Sequence, residues 1–237
     1  MIDLKDLTVK FGGVTALDAV TARFTKPING IIGPNGAGKT TMMNLISGFL
    51  PSTGTIVCDG DEIGNLAAHK RTRWGLRRSF QREQIADDLT IEENLRVILD
   101  TLPMSAADKR DDIDRALTAT GLTGRARTVA AGLATFDRRL VDIARCLVGR
   151  PKVLMFDEPG GGMSREETER LGNILATIPQ LVDVTTLVID HDVDLIRAIC
   201  LETLVLDFGK RIAFGPTADV LNDPRVKAAY LGIGEIA

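Results

Sequence analysis

The stretch GPNGAGKTT at positions 33–41 restricts the folds open to this chain more than any other segment. It carries the spacing Gly-x-x-x-x-Gly-Lys-Thr, running from Gly33 to Gly38, Lys39 and Thr40. Ahead of it, Ile28 to Ile32 is a short apolar run of the kind a buried strand has. Behind it, Met42, Leu45, Ile46 and Phe49 recur at helical spacing. A strand, a glycine-rich loop and a helix in that order aim successive backbone N–H groups at phosphate oxygens, aided by the positive end of the helix. Gly33, Gly36 and Gly38 allow turns closed to other residues, and Pro34, Asn35 and Ala37 complete the loop. Lys39 would reach the β and γ phosphates. The Thr40 hydroxyl, with Thr41 beside it, would serve the phosphates and a Mg²⁺ ion. The expected ligand is a nucleoside triphosphate.

Strand and helix patterns alternate around this loop. Ile2 to Phe11 and Ala19 to Phe24 read as β, and Gly54 to Cys58 as a further strand after the Pro51-Ser52 break. Residues 90–119 and 137–149 read as helical; the first stretch opens with a capping box at Thr90 and Glu93, and a second start lies at Ser105 and Asp108. Then follow strands at 153–156 and 185–189, helices at 165–178 and 192–200, and a strand pair, 203–206 and 211–214, turned at Gly209. Short solid apolar strands between helices mean a mainly parallel sheet covered on both faces, an α/β fold. The expectation is a single domain over residues 1–237. A helical subdomain, roughly 88–148, is inserted in the α/β core, and a terminal element covers roughly 216–237.

With 237 residues the chain can bury roughly 70% of its unfolded surface and needs no disulfide or structural metal. Cys58, Cys146 and Cys200 lie far apart in sequence, which suits a reducing compartment. The start, MIDLKDLTVKF, has charges where a signal peptide has its apolar core, and no apolar run approaches the ~18 residues of a membrane span. The expected location is cytoplasmic. A formal charge of −3 speaks against nucleic-acid binding. Lys70 to Arg82 nonetheless holds six basic residues and no acidic one, around Trp74; a solvated helix accounts for it. The acids at 108, 111, 112 and 114 likewise read as a solvated helix face, because Lys109, Arg110 and Arg115 interleave with them.

Asp157 ends the apolar strand VLMFD, at the sheet edge where such an acid can hold Mg²⁺ beside the phosphates. Glu158 follows and could orient a water in line with the γ phosphate. His191, in IDHD after the strand 185–189, lies where a third core strand meets that edge and could donate to the same phosphate. Phe11 could stack on adenine or could be core. Gln81, in GLRRSFQ, carries no signal by itself.

These residues resemble the ATP-binding cassette (ABC) family along the whole chain. GPNGAGKTT resembles its Walker A element, Gln81 its Q-loop, VLMFDEP its Walker B element, His191 its switch histidine and Phe11 its A-loop aromatic. FGGVTALD, GLRRSFQ, TIEENL, IARCL, IDHD and NDPRVKAAYLG resemble the ATP-binding subunits of branched-chain amino-acid importers. The lipopolysaccharide-export ATPase is a near relative of that branch, and an ATP-binding regulatory subunit with little hydrolysis is a further alternative. The resemblance implies a cassette fold: a mainly parallel core sheet, an antiparallel β subdomain and a helical subdomain. It further implies ATP and Mg²⁺, with Lys39, Gln81, Glu158 and His191 catalytic and Thr40, Gln81 and Asp157 at the metal. The implied partners are a second cassette subunit, two transmembrane permeases docked around Gln81 to Leu89, and an extracytoplasmic solute-binding protein. The chain would sit peripherally on the inner face of the cell membrane.

The chain departs from the family at the signature, which should read L-S-x-G-Q. Leu133-Ala134-Thr135-Phe136-Asp137 stands there. Ala134 removes the hydroxyl that meets a partner's γ phosphate, and the Phe136 benzyl group is expected to block close approach. Gly160, Gly161 and Gly162 are expected to loosen the loop after Walker B. All that the chain would give its own ATP is present, whereas what it would give a partner's is damaged. The expectation is an asymmetric heterodimer with one competent site.

Overall fold

The computed structural model describes residues 1–51 and 53–230. Ser52 of the expected break and positions 231–237 of the expected terminal element lie outside the described residues.

Two sheets organise the chain. The first is antiparallel and runs β2-β1-β4-β5, with β1 at Ile2–Phe11, β2 at Val14–Phe24, β4 at Thr53–Cys58 and β5 at Asp61–Glu62. The second runs β10-β9-β3-β8-β7-β6. Its strands are β3 (Ile28–Ile32), β6 (Leu76–Arg78), β7 (Val153–Asp157), β8 (Thr185–Ile189), β9 (Glu202–Asp207) and β10 (Lys210–Pro216). Neighbours from β6 to β9 pair in parallel, and β10 returns antiparallel. Every residue of β3, β7 and β8 is buried, as solid apolar runs require when both faces are covered.

Period-2 alternation sorts those strands between two cores. Ile31, Met155, Leu187 and Leu204 point to a cluster shared with the antiparallel sheet and with α1 (Lys39–Ile46). Ile32, Leu154, Phe156, Val188 and Val205 point to the opposite cluster. There they meet α3 (Ile91–Leu99), α4 (Ala106–Ala119), α5 (Thr135–Leu147), α6 (Arg165–Leu181) and α7 (Val193–Ile199). α3, α4 and α5 lie between β6 and β7 in the chain. Two short terminal helices, α8 (Thr217–Asn222) and α9 (Pro224–Tyr230), close the described chain. Among the described residues no helix is long and apolar enough to cross a membrane.

The helix starts follow the caps legible in the sequence. Thr90 and Glu93 form a reciprocal capping box, and the Ser105 hydroxyl accepts from the Asp108 N–H. The helical stretch 90–119 is two helices, because Pro103 follows the end of α3 at Leu99 and Ser105 restarts the chain.

The basic run is where the structure departs most from expectation. It is not one solvated helix: α2 (Ala68–Trp74) ends at Gly75, and β6 follows at once. Arg71 is buried and donates to the carbonyls of Leu45 and Ile46 at 2.7 Å, of Gly64 at 2.6 Å and of Leu66 at 2.8 Å. It thereby satisfies the open C-terminal carbonyls of α1. Arg77 is also buried, on the carbonyls of Thr72, Leu76 and Gly149. Asp112 likewise leaves the solvated face assigned to it; it is buried, accepts from the Gly149 N–H and pairs with Arg115.

The three cysteines are unbonded and buried. Burial pushes the Cys58 thiol up to about 12, so it behaves as a small core side chain.

Replacing Arg71 by Ala strands two carbonyls at the end of the helix behind the glycine loop, and those of Gly64 and Leu66 ahead of α2. The expected loss is about 2–4 kcal/mol, read as a lowered midpoint in denaturant unfolding at unchanged slope.

Candidate functional site

Five strands point their carboxyl ends at one edge of the larger sheet, the edge at which open α/β sheets bind ligands. β3 ends there and runs into the glycine loop. Gly33 has φ +154°, and a Cβ on it would lie 2.1 Å from the Leu206 carbonyl oxygen of β9. Gly38 has φ +102°, and a Cβ there would lie 2.6 Å from the Ala16 carbonyl oxygen. Neither position admits a side chain. The loop is also pinned from the β9–β10 turn, because the Gly209 N–H donates to Ala37 O at 3.0 Å and Gly209 O accepts from the Asp18 N–H at 2.9 Å.

Lys39 is buried at the start of α1, with its ammonium donating to Gly33 O at 2.7 Å and Pro34 O at 3.0 Å. Burial lowers its pKa, and the carboxylates of Glu158 and Asp157 work against that shift. A cavity of about 180 Å³ opens on the loop. Asn35, Gly36, Gly38, Lys39 and Thr40 line it from one side and Glu158 from the other. Glu158 is brought there by strain: it has φ +49°, unusual outside glycine, with its N–H on Ile189 O at 2.7 Å. Its carboxylate accepts from Gln81 Nε2 at 2.9 Å. The residue with no signal of its own in the sequence thus meets the proposed water-orienting acid.

Asp157 is buried at the end of β7. Its Oδ2 is held by Arg78 Nη2 at 2.7 Å. The same guanidinium donates to Asn44 Oδ1 at 2.8 Å and covers the Phe80 ring at 4.8 Å. Thr40 Oγ1, the second Asp157 oxygen and the Gln81 amide oxygen are hard oxygen donors, and the Gln81 nitrogen is committed to Glu158. That set fits a Mg²⁺ ion that arrives with phosphates. Among the described residues no group of three or more His, Cys, Asp or Glu side chains could hold a metal by itself.

The other candidates are spread around this edge. His191 follows β8; its side chain is 65% exposed, with Nδ1 3.6 Å from Asp190 Oδ1. Phe11 is 50% exposed at the end of β1, so it is not core, and it does not line the cavity. None of Leu133, Ala134, Thr135, Phe136 and Asp137 lines it either.

Two residues that sequence reasoning missed hold the site together. Arg78 was legible only as part of a charge run. Arg139 of α5 is buried and donates to Phe80 O at 3.0 Å and Gln81 O at 3.1 Å, tying the Gln81 segment to the helix behind the signature position.

The ABC transporter family model matches residues 24–161, and a model described as branched-chain amino acid ATP-binding cassette transporter matches residues 210–235. The chain belongs to the ABC transporter family. It is 34% identical to the high-affinity branched-chain amino acid transport ATP-binding protein BraF of Pseudomonas aeruginosa, covering 98% of each chain. Among solved structures it is similar to the ADP conformation of MJ1267, an ATP-binding cassette of an ABC transporter. There the TM-score is 0.85 at 27% identity, over 98% of each chain. It is also similar to the dimeric structure of MJ0796, a bacterial ABC transporter cassette, with TM-score 0.78 and 25% identity over 92% of this chain and 99% of that one.

In this cassette the signature segment differs from expectation in one respect. Phe136 does not present its ring to the surface. It is 7% exposed, packed in the core with the Arg170 guanidinium 4.9 Å over it. The first turn of α5 buries an apolar side chain there by the ordinary amphipathic rule. Ala134 and Thr135 are exposed at the helix start, and Ala134 supplies no side-chain cap. The glycines after Glu158 also form a closed turn rather than a loose one. Gly160 N–H donates to Asp190 Oδ2 at 3.0 Å, Gly161 N–H to Glu158 O at 3.1 Å and Met163 N–H to Gly160 O at 3.2 Å. The Ser164–Glu167 capping box then starts α6.

Asp142 of α5 lies behind the Gln81 segment, and burial pushes its carboxyl up to about 6 against the attraction of Arg145 and Arg139. A carboxyl raised in the folded state binds protons that the unfolded chain has already lost. This group therefore takes stability away as pH rises from about 4 to about 6. Asp142→Asn is expected to flatten that part of the stability–pH curve, measured by urea unfolding at a series of pH values.

Proposed function

We propose that this chain is the ATP-hydrolysing nucleotide-binding subunit of an ABC importer for branched-chain or related hydrophobic amino acids. One observation carries the reading of the site: the Gln81–Glu158 hydrogen bond, whose acid lines the same cavity as the Walker A loop. The substrate class rests on likeness to proteins named for branched-chain amino acid transport. The partners follow from the same likeness. They are two transmembrane permeases docked beside the Gln81 segment, a second cassette subunit and an extracytoplasmic solute-binding protein, with the chain peripheral on the inner membrane face. One cassette domain with the α3–α5 insertion bears all of these contacts.

The chain's own residues divide the work. Backbone N–H groups of residues 33–41 bind the phosphates, and Lys39 releases the loop carbonyls to neutralise the β and γ oxygens. The low-dielectric floor around Lys39 strengthens that attraction. Mg²⁺, when bound with the nucleotide, supplies charge neutralisation at the γ phosphate, and Thr40, Asp157 and Gln81 would hold it. Glu158 accepts hydrogen bonds, so it can orient a water for attack and take up its proton. Gln81 fixes the Glu158 carboxylate until nucleotide enters. His191, exposed at the same edge, donates to the γ phosphate. Phe11 offers a half-exposed ring to the base.

The partner's ATP fares differently. Ala134 stands where a hydroxyl would meet that phosphate, which favours an asymmetric heterodimer in which the site completed by this chain's α5 turns over slowly.

Replacing Glu158 by Gln in the reconstituted complex is expected to cut phosphate release about 10²- to 10³-fold with ATP binding retained. Turnover near that of the unmodified complex would overturn the assignment. In the Glu158→Gln background, adding Ala134→Ser should raise the residual turnover of the partner's site, because one donor to a developing charge is worth about 10²–10³ in rate. Unchanged residual turnover would remove the asymmetry.

A further inference from the structure

Asp190 is a fully buried carboxylate between two loops that the reaction uses. It follows the strand pairing, one residue past Ile189, which is in register with Asp157. Its Oδ2 accepts from the Gly160 N–H at 3.0 Å, two residues after Glu158. Its Oδ1 accepts from the Asp192 N–H at 2.9 Å, one residue after His191. Asp192 in turn caps α7 by accepting from the N–H groups of Asp194 and Leu195. One carboxylate therefore binds the turn after the catalytic acid and the turn carrying the histidine. A second observation shows the same fit from the other side: a Cβ on Gly160 would lie 3.2 Å from Asp190 Oδ2 and 3.4 Å from Leu195 Cδ2. The carboxylate occupies the room that any larger residue at 160 would need.

We propose that Asp190 is a positioning residue whose carboxylate locks the Gly160 turn to the His191 turn, so that Glu158 and His191 keep one relative placement as the site opens and closes. The roles given to Glu158 and His191 rest on the hydrolytic reading above; the lock itself rests on the two hydrogen bonds and on the glycine. Glu158 holds a left-handed backbone, which persists only where surrounding bonds overdetermine it. Its N–H is fixed to β8 through Ile189, and the Gly160 N–H is fixed to Asp190, so the strained residue is clamped on both sides. The histidine turn shares the second clamp. Asparagine at 190 keeps the size but offers one accepting oxygen in place of two.

Two measurements test this. Amide hydrogen exchange on the full chain is expected to quicken about tenfold or more at both Gly160 and Asp192 in Asp190→Ala, which removes both accepting oxygens where asparagine would keep one. In the assembled complex the same substitution is expected to lower kcat about tenfold with KM for ATP within about twofold. Gly160→Ala, which presses on the same oxygen, should lower kcat similarly, and the double variant should be no worse than the weaker single one. The lock is refuted by losses that multiply in the double variant. Exchange that quickens at only one of the two amides refutes it too, as does a fall in activity that merely follows a fall in Tm. A complex that hydrolyses no ATP without any substitution would instead sink the proposed function, and exchange would then decide the lock alone.

Discussion

The backbone of Gly33 passes so close to the Leu206 carbonyl that a Cβ would lie 2.1 Å from it, and much of the molecule is arranged to permit that approach. The loop can sit against the sheet edge only because β3 and β9 are neighbours, and they are neighbours only because the chain crosses over from α7 to reach β9. Burial of both faces of β3 fixes where the loop begins. Arg71, satisfying the far end of α1, fixes where the helix behind it stops. The phosphate cradle is thus held at both ends by groups that never reach the ligand.

Around the cradle, buried arginines carry out a task usually given to packing. Arg78 orients Asp157, Arg139 holds the Gln81 backbone, and Arg77 ties β6 to the end of α5 through Gly149. Each guanidinium reaches several acceptors at once because its fork of donors is planar and fixed. The Gln81 segment, the Walker B acid and the signature helix are therefore linked by directional bonds. Apolar contacts between the same elements would allow sliding; these bonds favour discrete placements. That is a suitable connection between an ATP site and the docking surface proposed beside it.

The order of elements was largely legible from periodicity and caps. Solid apolar runs gave β3, β7 and β8, Thr90 and Ser105 marked helix starts, and GPNGAGKTT located the site. The Gln81–Glu158 contact was not legible, because those residues lie 77 positions apart and glutamine has no local signature. The basic run was misread for a related reason. Charge in a sequence suggests solvent, and only the fold shows that Arg71 and Arg77 have carbonyls waiting for them. At Phe136 the residue type suggested obstruction, while helix geometry turned the ring inward.

The amino-acid sequence alone determined that this chain forms a mainly parallel α/β sheet with a phosphate loop at its edge, because those features follow from local spacing and glycine conformation. The tertiary structure decided which carboxylate meets which amide, which arginines are buried and where the signature side chains point. Those outcomes depend on partners distant in sequence, brought within hydrogen-bond reach only by the packing of sheet and helices.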